Sequence, residues 1–166
     1  WDFVVTFHYS LKGSSLHIEQ TFESTGAMAD PMPFGVGFHP YFHVPQANKG
    51  KARVKTLAAR AWDNAAKEMV DVPSPIDLTA KEVDLHLIDH DGTTATLELG
   101  DGAAIDVRCS KELRRWVVWT LENKDFVCLE PWTCPANALN TDDDLLIAYP
   151  GEPIRLHTEI ALREAP

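Results

Sequence analysis

Apolar and polar positions alternate in short runs along this chain, and turn-forming residues interrupt the runs every few positions. Val4, Val5, Phe7 and Tyr9 mark a strand over residues 3–10, because β-branched and aromatic side chains suit a pleated, half-buried surface. Lys12-Gly13-Ser14-Ser15 is turn material, and Leu16, Ile18 and Phe22 form the returning arm of a hairpin. Residues 24–33 read as a loop, 46–51 as a polar turn and 63–75 as another loop. Residues 52–62 read as one strand, although Ala58, Ala59 and Ala61 also permit helix, and 81–87 is ambiguous. From there the signal sharpens. Residues 94–99 and 104–108 alternate around Gly100-Asp101-Gly102, residues 115–121 and 126–129 are further strands, and 154–162 alternates as a closing strand. Residues 134–139 predict a single helical turn.

Short strands and almost no helical periodicity define an all-β sandwich or barrel. The 166 residues suit one domain, spanning 1–166, with a sizeable core. No apolar run is long enough to cross a membrane, and no signal-peptide pattern is present. A formal net charge of -10 leaves no basic stripe to neutralise a phosphate backbone, which argues against nucleic acid as a partner. Cys109, Cys128 and Cys134 cannot all pair within one chain and match no zinc spacing. Reduced thiols in a cytoplasmic protein are the simple reading. Cys134 as a nucleophile would need a base that the sequence does not nominate.

Two islands carry the candidate chemistry. The first is Met32-Pro33-Phe34-Gly35-Val36-Gly37-Phe38-His39-Pro40-Tyr41-Phe42. Its glycines allow bending or close approach, Pro40 biases His39 toward extended backbone, and aromatics surround the imidazole. Held this stiffly, His39 can exchange protons; equally, it can cap a strand end. The second island is Cys128-Leu129-Glu130-Pro131-Trp132-Thr133-Cys134-Pro135-Ala136-Asn137-Ala138-Leu139-Asn140. It repeats the arrangement with Glu130 as the ionisable group beside proline and tryptophan.

Together the islands resemble the aldose 1-epimerase (galactose mutarotase) family. There a histidine in a G-x-H-P-Y-F setting faces a glutamate in an E-P-W-T-x-P-x-N setting. The resemblance extends over most of the chain. It implies the large antiparallel β-sandwich of the galactose mutarotases, here incomplete at the amino-terminal side, with sheet edges and apolar faces left exposed. It also implies interconversion of the anomers of a hexose by an isomerase that needs no cofactor and no metal. Ring opening takes a base at the C1 hydroxyl, assigned to Glu130, and an acid at the ring oxygen, assigned to His39. A glutamate desolvated by its neighbours is the better base near neutrality. A charged histidine in apolar surroundings needs a carboxylate nearby, and Glu130 or an aspartate can serve. The family's substrate-binding aspartate corresponds to Asp84, in Val83-Asp84-Leu85-His86-Leu87. Trp132 is a candidate platform for the apolar face of a sugar, or a core residue. Asn137 either bonds a hydroxyl or tightens its loop.

Several readings compete. A non-catalytic carbohydrate-binding sandwich would use Trp132 and Asp84 without turnover. A hexose 6-phosphate epimerase of the same family is another possibility, and a structural sandwich would make the paired motifs coincidental. His39, His43 and Glu130 form a possible two-histidine, one-carboxylate metal set, but on extended backbone the two histidines lie about 13 Å apart. Asp142-Asp143-Asp144 reads as a solvated cluster because it lacks spaced calcium ligands. Asp89 and Asp91 read as turn residues before Gly92.

Overall fold

The computed structural model describes residues 1–26, 31–89 and 92–164. Two six-stranded antiparallel sheets face each other, as the alternation predicts. The first holds β1 (Phe3–Lys12), β2 (Ser15–Ser24), β14 (Ile154–Arg163), β10 (Ala104–Cys109), β9 (Thr94–Glu98) and β5 (Arg53–Lys55), in that order. The second runs β4 (Tyr41–His43), β12 (Phe126–Trp132), β11 (Arg115–Leu121), β8 (Glu82–Ile88), β6 (Arg60–Asp63) and β7 (Glu68–Asp71). A two-stranded ribbon pairs β13 (Leu146–Ala148) with β3 (Met32–Phe34). Helix is confined to two single turns, α1 (Gln46–Lys49) and α2 (Ala138–Thr141).

The core forms where the inward faces of the sheets meet. Leu87, Trp116, Val118, Val127 and Leu129 from the second sheet pack in one cluster with Leu97 and Val107 from the first. All seven are essentially inaccessible, so each contributes roughly 1.5–3 kcal/mol of transfer free energy if fully buried. Strand periodicity then dictates the opposite face: the residues between these, at 115, 117, 119, 128, 130 and 132, point away from the core. That outward face is where the candidate site lies.

Several boundaries differ from the sequence pattern, each for a physical reason. Residues 52–62 are two strands in different sheets, not one: the chain crosses between layers around Leu57, which is 71% exposed. The expected loop at 63–75 contains β7, a polar edge strand whose pairing with β6 carries little hydrophobic signature. Residues 46–51 begin with a helical turn; it anchors Lys49, whose buried ammonium donates to Thr120 Oγ1 and the Leu121 carbonyl. The strand read as ending at 129 continues through Glu130 and Pro131 to Trp132. In the expected loop at 24–33, β3 begins at Met32, and residues 27–30 lie outside the described residues, as does Asp91. The helical turn expected at 134–139 starts later, at Ala138. β13 has no counterpart in the sequence reading.

β1 is an edge strand. Phe3, Phe7 and Tyr9 pair with the inward-facing Ser24, Gln20 and Ile18 of β2, yet remain 57%, 43% and 58% exposed. Beyond the cover of the second sheet, the first sheet therefore presents an apolar face.

Candidate active site

The two islands meet directly. Gly37 bridges Trp132, the Thr133 N–H donates to the Val36 carbonyl at 2.9 Å, and the Phe38 N–H donates to the Pro131 carbonyl at 3.2 Å. The Val36 N–H in turn donates to Thr133 Oγ1 at 2.9 Å. Glycine is required for this approach: a Cβ on Gly37 would lie 2.5 Å from Trp132 Cδ1, and one on Gly35 would lie 2.2 Å from Cys134 Sγ. Together with the antiparallel pairing of Tyr41 and Cys128, these contacts fix His39 beside β12.

His39 Nδ1 lies 3.3 Å from Glu130 Oε1; the imidazole is half exposed and the carboxylate buried. The His39 ring stacks on Tyr41 at 5.0 Å with 7° between planes, and the edge of Trp119 closes another side. Glu130 Oε2 accepts a hydrogen bond from Trp132 Nε1 at 3.1 Å, while the same N–H also faces the Phe38 carbonyl at 3.3 Å. Burial pushes the Glu130 carboxyl up to about 8; the indole hydrogen bond opposes this, and the Asp84 charge adds to it. Desolvation dominates because the carboxylate is 1% exposed.

The pairing register places the remaining groups. Val117 of β11 lies opposite both Glu130 of β12 and His86 of β8, and His86 lies opposite Trp62 of β6. One register step along, Trp119 lies opposite both Cys128 and Asp84. Directly opposed residues share a face, so Asp84, His86, Trp119, Glu130 and Trp132 all occupy the outward surface of the second sheet. Asp84 is held from two sides. Asn64 Nδ2 donates to its Oδ2 at 2.6 Å, and His86 Nε2 lies 3.3 Å from its Oδ1. Trp132 meets the His86 ring edge-to-face at 5.3 Å, so its indole is engaged by His86 and Glu130 at once. Beside His39 and Trp132 a cleft of about 500 Å³ extends under the loop bearing Cys134, Asn137 and Asn140.

All four residues singled out from sequence thus gather on one face. Sequence reasoning passed over Asn64, His86, Cys128 and Trp119. The signal that could have found two of them is period two: His86 follows Asp84 by two and Cys128 precedes Glu130 by two, so in strands each pair shares a face. Asn137 tightens its loop, since it takes φ 67° and its Oδ1 accepts the Asn140 side-chain amide. The triple aspartate is not wholly solvated, because Asp144 pairs with Arg114 at 3.4 Å and with Arg115 at 2.9 Å.

The His39, His43 and Glu130 set, which strand spacing already argued against, does not assemble as a metal site. His43 pairs with Phe126, two register positions beyond Tyr41. Among the described residues the group whose donor atoms come within 4.8 Å of one another is His39, Cys128 and Glu130. It fits a metal poorly. Cys128 is wholly buried and its thiol is pushed up to about 12, by burial first and then by the Glu130 charge, whereas a ligating sulfur must be a thiolate.

An outward sheet face bearing a buried carboxylate, a half-exposed imidazole and an aspartate held by Asn64 and His86 is the candidate site, built on a galactose mutarotase-type β-sandwich. The sequence profile of the aldose 1-epimerase family matches residues 1–161, and the chain belongs to that family. YihR, an uncharacterized protein of Escherichia coli K12, is 29% identical over 168 residues, covering 92% of this chain and 53% of its own. The crystal structure of Slr1438 from Synechocystis sp. PCC 6803 superposes with a TM-score of 0.90 at 30% identity, over 96% of this chain and 54% of that one. A galactose mutarotase-like protein from Clostridium acetobutylicum shares the fold, with a TM-score of 0.77 at 19% identity, over 98% of this chain and 56% of its own. The chain therefore spans about half the length of the relatives it matches.

Proposed function

We propose that the protein is an aldose 1-epimerase, interconverting the α and β anomers of a hexose with Glu130 as base and His39 as acid. The observation that carries this reading is the 3.3 Å contact of His39 Nδ1 with Glu130 Oε1 on the solvent-facing side of the sheet. The hydroxyl and ring oxygens of a hemiacetal are borne on one carbon, so the groups that serve them must be neighbours too. Glu130 takes the C1 hydroxyl proton as His39 gives one to the ring oxygen, and the C1–O5 bond breaks to leave the open-chain aldehyde. Rotation about C1–C2 presents the other carbonyl face, and closure returns both protons. Nothing else is consumed. Contact with Glu130 also gives a protonated His39 its counter-charge, the role the sequence assigned to a neighbouring carboxylate.

Asp84, fixed by Asn64 and His86, binds sugar hydroxyls, and Trp132 supplies the apolar wall. Burial of Glu130 supports its role as base, because a carboxyl raised toward neutrality accepts protons more readily than an exposed one. Cys109, Cys128 and Cys134 are free thiols, which supports a reducing, cytoplasmic setting.

Freshly dissolved α-D-glucose and α-D-galactose, with and without the intact protein, test the proposal by optical rotation. Faster decay toward the equilibrium value is expected for at least one of them or for a 6-phosphate. Sugar binding without acceleration would replace the enzyme by a carbohydrate-binding sandwich.

A further inference from the structure

We propose that His86 is a specificity-determining residue of this site, holding Asp84 in place and accepting a hydrogen bond from a substrate hydroxyl. The inference rests on the sugar-epimerase reading and adds to it a residue that the paired motifs do not contain.

Three observations support it. The first is placement. His86 and Glu130 both lie opposite Val117, so they stand two strands apart, about 10 Å by ordinary strand spacing. The valine between them has no polar atom. That valine is 2% exposed, because the Trp132 indole spans the gap, bonded to Glu130 and 5.3 Å from the His86 ring; a pyranose resting on the indole would reach Glu130 at the anomeric end and His86 at a ring hydroxyl farther round. The second is tautomer. His86 Nε2 faces the Asp84 carboxylate at 3.3 Å, which assigns the proton to Nε2 and leaves a lone pair on Nδ1. No protein partner for Nδ1 is found among the described residues, and the residue keeps 8% of its surface, on the outward face. The third is charge. Burial lowers the pKa of the ring against the pull of Asp84, which keeps the imidazole neutral and Nδ1 free to accept. A histidine needed only as filler would not leave an unpaired acceptor beside a clamped carboxylate.

Two variants separate the role from packing. His86→Phe keeps a ring against the Trp132 indole and removes both nitrogens. His86→Gln gives up the ring and retains one donor and one acceptor. Binding of D-galactose, D-glucose and their monodeoxy analogues is measured by NMR titration, alongside mutarotation kinetics and thermal unfolding. For His86→Phe we expect binding and KM weakened about tenfold, the yield of one well-made polar contact, with kcat within about threefold and an unchanged melting temperature. His86→Gln should recover most of the affinity. For one deoxy analogue the wild type and His86→Phe should bind equally, because the hydroxyl that His86 reads is already gone. Wild-type affinity in His86→Phe, or equal losses in both variants with a lowered melting temperature, would overturn the role. If the wild type binds sugar without turnover, the binding arm still decides His86 while the acid–base reading fails; if it neither binds nor turns over, both fall.

Discussion

Replacing Glu130 by glutamine should stabilise the protein while disabling it. The carboxyl is buried and held up to about 8, against 4.5 in an unperturbed chain. A carboxyl raised on folding binds more protons in the folded state, so its contribution is full below the unfolded value and is lost as pH rises through the folded one. As pH rises from about 4.5 to about 8 the fold progressively loses at most about 5 kcal/mol, at about 1.4 kcal/mol per pH unit, and above that the ionised group carries the whole cost. Glutamine keeps the shape, and its oxygen still accepts the Trp132 indole N–H, so little new strain is introduced. Thermal unfolding of wild type and Glu130→Gln at pH 5 and pH 9 measures the difference. The variant should gain several degrees at pH 9 and much less at pH 5, given about 2–4 °C per kcal/mol for a domain of this size. Its rate of mutarotation should fall by a factor of about 10²–10⁴. A variant equally stable at both pH values relative to wild type would refute the claim that the fold holds this carboxyl against its solvation. Full activity would remove Glu130 as the base.

Three further outcomes follow from the geometry. In the free enzyme, kcat/KM should rise with pH on a limb centred well above the ordinary carboxylate range, toward 8, and a limb near 4.5 would contradict the burial argument. Gly37→Ala puts a methyl group 2.5 Å from the Trp132 ring; overpacking costs about 1–3 kcal/mol, so lowered melting temperature and weakened sugar affinity should appear together, and a neutral substitution would deny the close approach of the two islands. Lys49→Met keeps an unbranched stem but abandons Thr120 Oγ1 and the Leu121 carbonyl, and calorimetric unfolding should show a loss of about 1–3 kcal/mol; no change would show that the buried ammonium is dispensable.

β2, β9 and β14 were legible because each buries one face, whereas β1 and β11 were legible from their β-branched and aromatic residues. Where burial is slight the pattern fades, as in the polar β7, or it is blurred, as at Leu57, where an exposed leucine hides a crossing between sheets. His39, Glu130 and Trp132 were legible because proline, glycine and aromatic residues mark the two islands so strongly, and Asp84 only through the family resemblance those islands carry. Their partners were not. Asn64 reaches Asp84 from the end of β6, which pairs with β8, and a single sequence carries no register between distant strands; His86 shares the face of Asp84 two residues on, a relation hidden because 81–87 read as ambiguous. The contact between Gly37 and Trp132 is hidden for the same reason: a glycine shows that something comes close without saying what.

The central claim is that His39 and Glu130 act as one unit on one hemiacetal. NMR exchange spectroscopy on an equilibrated, C1-labelled aldose measures anomer exchange directly in wild type, His39→Asn, Glu130→Gln and the double variant. The account predicts that each single substitution removes enzyme-dependent exchange and that the double variant is scarcely worse than either, as groups acting together require. Wild-type exchange in either single variant would contradict it.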